Sequence, residues 1–291
     1  MERGGVVCGA VFDKDFHVEH RIVDSCEALA LLRGSKYVYG RSAHIFATVK
    51  RYLDDGREVL FSGCPCQVAA LKKFIGADYQ NLFTVDIVCH GVPKGIYWEL
   101  YLQAYCHKHG FSAGDIESVN FRDKTAGGGW RDYNFTIRLK NGREFTEPYR
   151  ENGYMKMFLF NYTLRDACFR CVFKGAASKA DITIGDFWGI EQLRPDVDDN
   201  KGVSLLIPHT IKGKEYCSRL PIVAEFNLED VLPFNPHITA NAGKPADIDA
   251  FRAECSSTGI WPDAMAGSLS FGRPVQKGSR SFFKRLFKRW R

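Results

Sequence analysis

The chain has 291 residues, 45% of them apolar and 13% aromatic, which supplies a sizeable core and excludes disorder, collagen and coiled coil. Its 40 basic and 34 acidic side chains give a net charge of +6, and the surplus sits at the end, where Arg280, Lys284, Arg285, Lys288, Arg289 and Arg291 have no acid among them. Residues 1–279 therefore balance in charge, and the basic field that a nucleic-acid partner requires is absent from the body of the chain.

No apolar run reaches the roughly 18 residues of a membrane span, and the N-terminus lacks the basic and apolar regions of a secretory signal, so a cytoplasmic protein is expected. The ten cysteines are too sparse for a disulfide scaffold of this size and are expected as thiols or metal ligands.

In chain order, residues 5–12 read as a strand and 25–32 as a short helix with Ser25 at its N-cap. Residues 58–62 form a buried strand, Gly63-Cys64-Pro65 a tight turn, and 66–75 a helix that starts beside a proline. An apolar strand over 82–88 breaks at His90-Gly91-Val92-Pro93, and a second helix follows over 94–107. This alternation marks βαβ units and a parallel sheet. Residues 133–139 and 143–147 flank Asn141-Gly142, a two-residue hairpin signal that predicts antiparallel strands beside the parallel ones. Further strands fall at 180–184 and 203–207, with a helix at 212–220. The expected class is α/β, with a mixed, partly parallel sheet of βαβ units and an antiparallel hairpin insertion. Residues 1–80 and 81–220 form two parts of one core, 221–278 an irregular wrap or linker, and 279–291 a basic amphipathic tail. Over residues 281–291, Phe282, Phe283, Leu286, Phe287 and Trp290 share one helical face, which suits an anionic membrane surface at the cytoplasmic side or a groove on a partner.

In a parallel sheet, ligands gather at the carboxyl ends of the strands, where the two βα turns place Cys64, Cys66 and Cys89. Cys168 and Cys171 add a Cys-x-x-Cys pair. Cys66, Cys89, Cys168 and Cys171 all lie beside turn formers, where metal ligands are commonly presented. Four thiolates suit zinc or an iron-sulfur cluster, and one Cys-x-x-Cys completed by two distant single cysteines differs from paired zinc knuckles. A redox dithiol is a third reading, because Cys66 opens a helix whose dipole favours a thiolate.

Ser62-Gly-Cys-Pro-Cys-Gln67, Thr84-Val-Asp-Ile-Val-Cys-His-Gly-Val-Pro93, Asn120-Phe-Arg-Asp-Lys124, the Cys168/Cys171 pair, Asp181-Ile-Thr-Ile-Gly-Asp-Phe-Trp-Gly189 and the earlier Arg33-Gly-Ser-Lys-Tyr-Val38 appear in succession. Over about residues 4–215 their order and spacing resemble the beta-subunit family of coenzyme F420 (deazaflavin) hydrogenases and dehydrogenases. The resemblance implies an iron-sulfur flavoprotein oxidoreductase with FAD and a 4Fe-4S cluster. It implies Cys66, Cys89, Cys168 and Cys171 as cluster ligands, and Arg33, Gly34, Ser35, Lys36, Tyr37, Gly63, His90, Gly91, Asn120, Arg122 and Lys124 around the flavin. Bacterial relatives also occur with cell-surface polysaccharide genes, with an unidentified small-molecule substrate. Many family members carry a ferredoxin module and a longer flavin cradle before the first strand. A separate electron-carrier protein such as a ferredoxin, and loosely held FAD, are accordingly expected here. The alternatives from the residues alone are a non-catalytic electron-transfer subunit and a zinc-stapled structural protein.

Overall fold

The computed structural model describes residues 4–125 and 129–271; the tail expected over 279–291 lies outside them. Strand β1 (Val6–Phe12) turns back on β2 (Val18–Val23), and β3 (Gly40–Arg41) adds two residues beside β2. The segment before β3 holds only a short 3-10 turn, Ala28–Leu32, and Ser25 Oγ accepts the Ala28 N–H at 3.2 Å. Gly34, at φ +80°, lies just beyond that turn.

Helix α1 (Phe46–Asp54), strand β4 (Val59–Gly63), helix α2 (Pro65–Ile75) and strand β5 (Leu82–Ile87) follow as two parallel crossovers. Phe46, Val49, Leu53, Val68, Leu71 and Ile75 pack the two helices onto one sheet face, against Val6, Phe61 and Leu82. Pro65 starts α2 where a missing N–H costs nothing, and Gly76, at φ +68°, ends it in the left-handed conformation that glycine adopts most readily. Helix α3 (Gly95–His109) buries Tyr97, Trp98, Tyr101, Leu102, Tyr105 and Cys106, a stripe repeating every three to four residues.

That stripe packs on a separate sheet of β6 (Ile116–Asp123), β7 (Asn134–Leu139) and β8 (Glu144–Pro148). The Asn141-Gly142 turn joins β7 to β8 as its sequence predicts, with Gly142 at φ +84°. The hairpin does not join the parallel strands, however. The long β6 pairs along β7 instead, and the buried Phe135, Ile137 and Leu139 meet the aromatic face of α3.

After α4 (Gly153–Leu159), strand β9 (Ile182–Asp186) returns to the large sheet parallel to β5, and β10 (Ser204–Pro208) closes its edge antiparallel to β9. The resulting seven-stranded order is β10-β9-β5-β4-β1-β2-β3, with β1, β4, β5 and β9 mutually parallel. This is the mixed α/β class expected from the sequence. Residues 248–258 depart from an irregular wrap: Ile248–Thr258 is helical and buries Ile248, Phe251 and Cys255, with Phe251 5.0 Å from Tyr97 between ring centres. Among the described residues no helix is long and apolar enough to cross a membrane.

Candidate functional site

The parallel register sets Gly63 opposite Asp86 and Ile87 opposite Ile184, so the carboxyl ends of β4, β5 and β9 stand level. Cys64 and Cys66 follow β4, and Cys89 follows β5. The third segment is brought in by main-chain pairing: Pro93 bridges Leu164, Arg165 N–H donates to Val92 O at 3.0 Å, and Lys94 N–H donates to Thr163 O at 2.9 Å. Cys168 and Cys171 lie on the 3-10 turn Asp166–Arg170 and just past it. The turn at Gly91 is tight because a Cβ there would stand 2.7 Å from Leu164 Cδ1. Gly63 is similarly confined, with Gln67 Oε1 and His20 Nε2 at 3.1 and 3.2 Å from the position of a Cβ.

All five of these cysteines are free and half-buried. Their thiols affect one another. A hydrogen bond with Cys89 and then burial push Cys64 well above the ordinary thiol range, while the same hydrogen bond from Cys64 holds Cys89 low, against burial and with the help of Lys174. Burial, reinforced by Cys89, Cys171 and Cys168, pushes Cys66 up to about 11. Burial also raises Cys168. The helix dipole thus does not make Cys66 a thiolate by itself.

Several contacts hold the cysteine segments in place. The Val92 N–H donates to Cys168 Sγ at 3.3 Å. Lys174 Nζ donates to Cys89 O and, at 3.2 Å, to His237 O. The Asn241 amide, turned to satisfy both partners, donates to Cys171 O at 3.1 Å and accepts Cys171 N–H at 3.3 Å. Lys174, His237 and Asn241 carry no recognisable motif, and only the fold brings them here.

A single zinc ion with Zn–S bonds of about 2.3 Å would draw four sulfurs to roughly 3.8 Å from one another. Among the described residues, only Asp13, Asp15 and His17 hold three such ligand atoms within 4.8 Å of one another. No three of the cysteine sulfurs do so. The donor set is soft and all-thiol, a chemistry shared by zinc and iron-sulfur sites.

The residues expected around a flavin separate into two groups. Tyr37 stacks on Phe158 at 4.8 Å between ring centres and meets Arg122, which pairs with Asp186 and lies over the Tyr133 and Trp188 rings at 4.8 and 5.7 Å. Arg122 Nε is buried without a partner, an N–H open to an acceptor. His90 lies edge-on to Phe158 at 5.1 Å, and its Nδ1 is 3.0 Å from His237 Nε2. With Gly63 and Gly91, these positions ring the strand ends. By contrast, Arg33, Gly34 and Ser35 are exposed, and Lys36 Nζ is bonded to Arg33 O and Gly34 O at 2.9 and 3.2 Å. Lys124 Nζ bonds Lys201 O at 3.2 Å, and exposed Asn120 accepts the Arg122 N–H at 3.0 Å. In Asp186-Phe-Trp-Gly189 only Phe187 closes the core; Trp188 is 37% exposed and stacks on Trp130 at 4.8 Å.

Thiols gathered at parallel strand ends, with a cationic and aromatic face nearby, suit a protein of the oxidoreductase or electron-transfer class. The chain belongs to the coenzyme F420 hydrogenase/dehydrogenase beta-subunit family: residues 56–231 match the model of that subunit's C terminus, well over half of the sequence. Among solved structures, a chain of the xenon-derivatised F420-reducing [NiFe] hydrogenase complex from Methanosarcina barkeri matches over 82% of this chain and 83% of its own, with 16% identity and a TM-score of 0.45. No curated protein matches.

Proposed function

We propose that this protein is an iron-sulfur oxidoreductase in which Cys66, Cys89, Cys168 and Cys171 hold a 4Fe-4S cluster that passes electrons between a partner protein and a small-molecule substrate. The observation that carries this reading is the approach of four half-buried cysteines from three separate segments, near enough for their thiols to raise one another. The main-chain N–H on Cys168 and the ammonium of Lys174 would offset the charge of a thiolate-bound cluster. Anaerobic purification is expected to yield iron and acid-labile sulfide in about equal amounts, near four of each per chain, with a visible absorbance that bleaches on reduction. Stoichiometric zinc without iron or sulfide would overturn this in favour of a structural metal site.

FAD is the second proposed group, held by the Tyr37, Arg122 and His90 side of the site; when bound, it supplies exchange between single electrons and an electron pair. Arg122 Nε suits an acceptor on such a ligand. Lys36 and Lys124 are already bonded to main-chain carbonyls, so few cations remain for a pyrophosphate and the binding is expected to be weak. Fluorescence titration should show saturable FAD binding that Arg122→Ala weakens by about tenfold, one charge-assisted hydrogen bond's worth. Absence of saturation in the unsubstituted protein would remove flavin and leave a cluster-only electron-transfer subunit.

A further inference from the structure

Beside the thiols, three side chains form a hydrogen-bonded row that no cluster or flavin assignment uses. Asp86 and Thr183 face each other in the register of β5 and β9. Asp86 is fully buried, and its Oδ1 accepts the Thr183 hydroxyl at 2.5 Å. Thr183 Oγ1 is also 2.7 Å from Nε2 of His209, half-buried just past β10. The hydroxyl has one proton, so it donates to one neighbour while it accepts from the other. The row therefore has two arrangements: Nε2–H of His209 on Thr183 with Thr183 donating to an ionised Asp86, or both protons shifted one place toward Asp86.

The far end of the row opens toward the candidate redox site. Asp86 Oδ2 is buried without a close hydrogen-bond partner, and the Ser178 hydroxyl is the other donor that acts on this carboxyl group. Asp86 and Thr183 line a small cleft with Pro65, Cys89, Lys174 and His237. A fully buried carboxylate is costly as a purely structural feature, since a threonine–histidine bond could join these strands without it.

We propose that His209, Thr183 and Asp86 form a proton path from the surface to the cleft beside Cys89, serving the electron transfer proposed above and resting on that reading. In one passage, His209 takes a proton from water at Nδ1. The Nε2–H bond breaks as a new Oγ1–H bond forms on Thr183, and the original Oγ1–H bond breaks as Asp86 gains an Oδ1–H. One proton enters, one reaches the carboxyl group, and no electron moves through these side chains. Burial narrows the difference in proton affinity between the two ends, because it raises the Asp86 carboxyl and lowers the His209 imidazole. The groups facing Asp86 are Thr183, Ser178 and, across the cleft, Lys174, His237 and Cys89; His209 faces Asp86 and the main chain of Asp181.

Thr183→Val keeps the shape of the side chain and removes the relay hydroxyl, whereas Thr183→Ser restores it. Anaerobic full-length protein would be reduced in a stopped-flow cell with a pH indicator, following cluster bleaching and proton uptake together. Proton uptake is expected to slow about tenfold or more in the valine variant and to stay within about twofold in the serine variant. Histidine 15N NMR of the unreduced proteins supplies a readout independent of turnover: a slowly exchanging His209 Nε2–H in the wild type and Thr183→Ser, lost in Thr183→Val. If bleaching occurs and the valine variant takes up protons at the wild-type rate, the path is wrong while the redox reading stands. If nothing bleaches in any variant, the redox reading fails and the path falls with it.

Discussion

Cys66→Ser is expected to remove most of the iron and sulfide from anaerobically purified protein, while Cys64→Thr keeps both and the visible absorbance. The two residues flank Pro65 and both approach Cys89, so proximity does not distinguish them. Local structure does. Cys64 occupies the N-cap of α2 with extended backbone angles, and its N–H donates to Gln67 Oε1 at 2.9 Å. Threonine is a favoured residue at that position, and its hydroxyl can replace the Cys64 thiol as donor to Cys89, so the exchange should stabilise the helix by about 0.5 kcal/mol or leave it unchanged. Cys66 lies inside the first turn, where serine offers no comparable cap and a far poorer soft-metal ligand. Iron and sulfide assays on both variants decide the matter, and dependence on Cys64 with indifference to Cys66 would reassign the ligand.

The other large effect concerns Asp181, whose 4% exposure places a carboxylate inside the fold. Its Oδ2 accepts the Thr84 N–H at 2.7 Å and the Thr84 hydroxyl at 2.8 Å, and its Oδ1 accepts the Thr210 hydroxyl at 2.8 Å. One side chain therefore ties β5, the start of β9 and the helix Ile211–Cys217 together. Asp181→Ala strands two buried donors on Thr84 and a half-buried one on Thr210 and should cost about 3–5 kcal/mol, with a fall of about 10 °C in melting temperature. Asp181→Asn keeps the shape and at least one acceptor, and should cost about 1–2 kcal/mol. Urea unfolding of each variant at equal metal content tests the pair; a cost below about 1 kcal/mol for the alanine variant would show the carboxylate to be dispensable.

The parallel core was legible because its signals are local. Pro65 beside a helix start and the His90-Gly91-Val92-Pro93 break after a strand each act within a few residues, as does Asn141-Gly142 in the separate hairpin. The placement of Cys64, Cys66 and Cys89 at strand ends was legible for a related reason, since βα turns are local signals, whereas the arrival of Cys168 and Cys171 beside them depends on tertiary pairing. Tertiary pairing was not legible: nothing near Asn141-Gly142 specifies that β7 takes β6 as its neighbour rather than a strand of the large sheet. Nor does the pattern at 221–278 announce the buried Phe251, or the Asn241 amide on the main chain of Cys171. Gly213 illustrates the same limit. A Cβ there would stand 2.2 Å from Asp181 O, a restriction set by a residue 32 positions earlier in the chain.

The scatter of the thiols along the sequence also sets an order of events during synthesis. The first half of the site, at Cys66 and Cys89, leaves the ribosome long before Cys168, Cys171 and the Asn241 amide that fixes the last of them. A nascent chain of 150 residues can build the first crossovers yet offers a metal group only half of its ligands. Under the proposed assignment, loading would wait until Cys171 has emerged, so the group would be delivered to a chain that already carries the first crossovers.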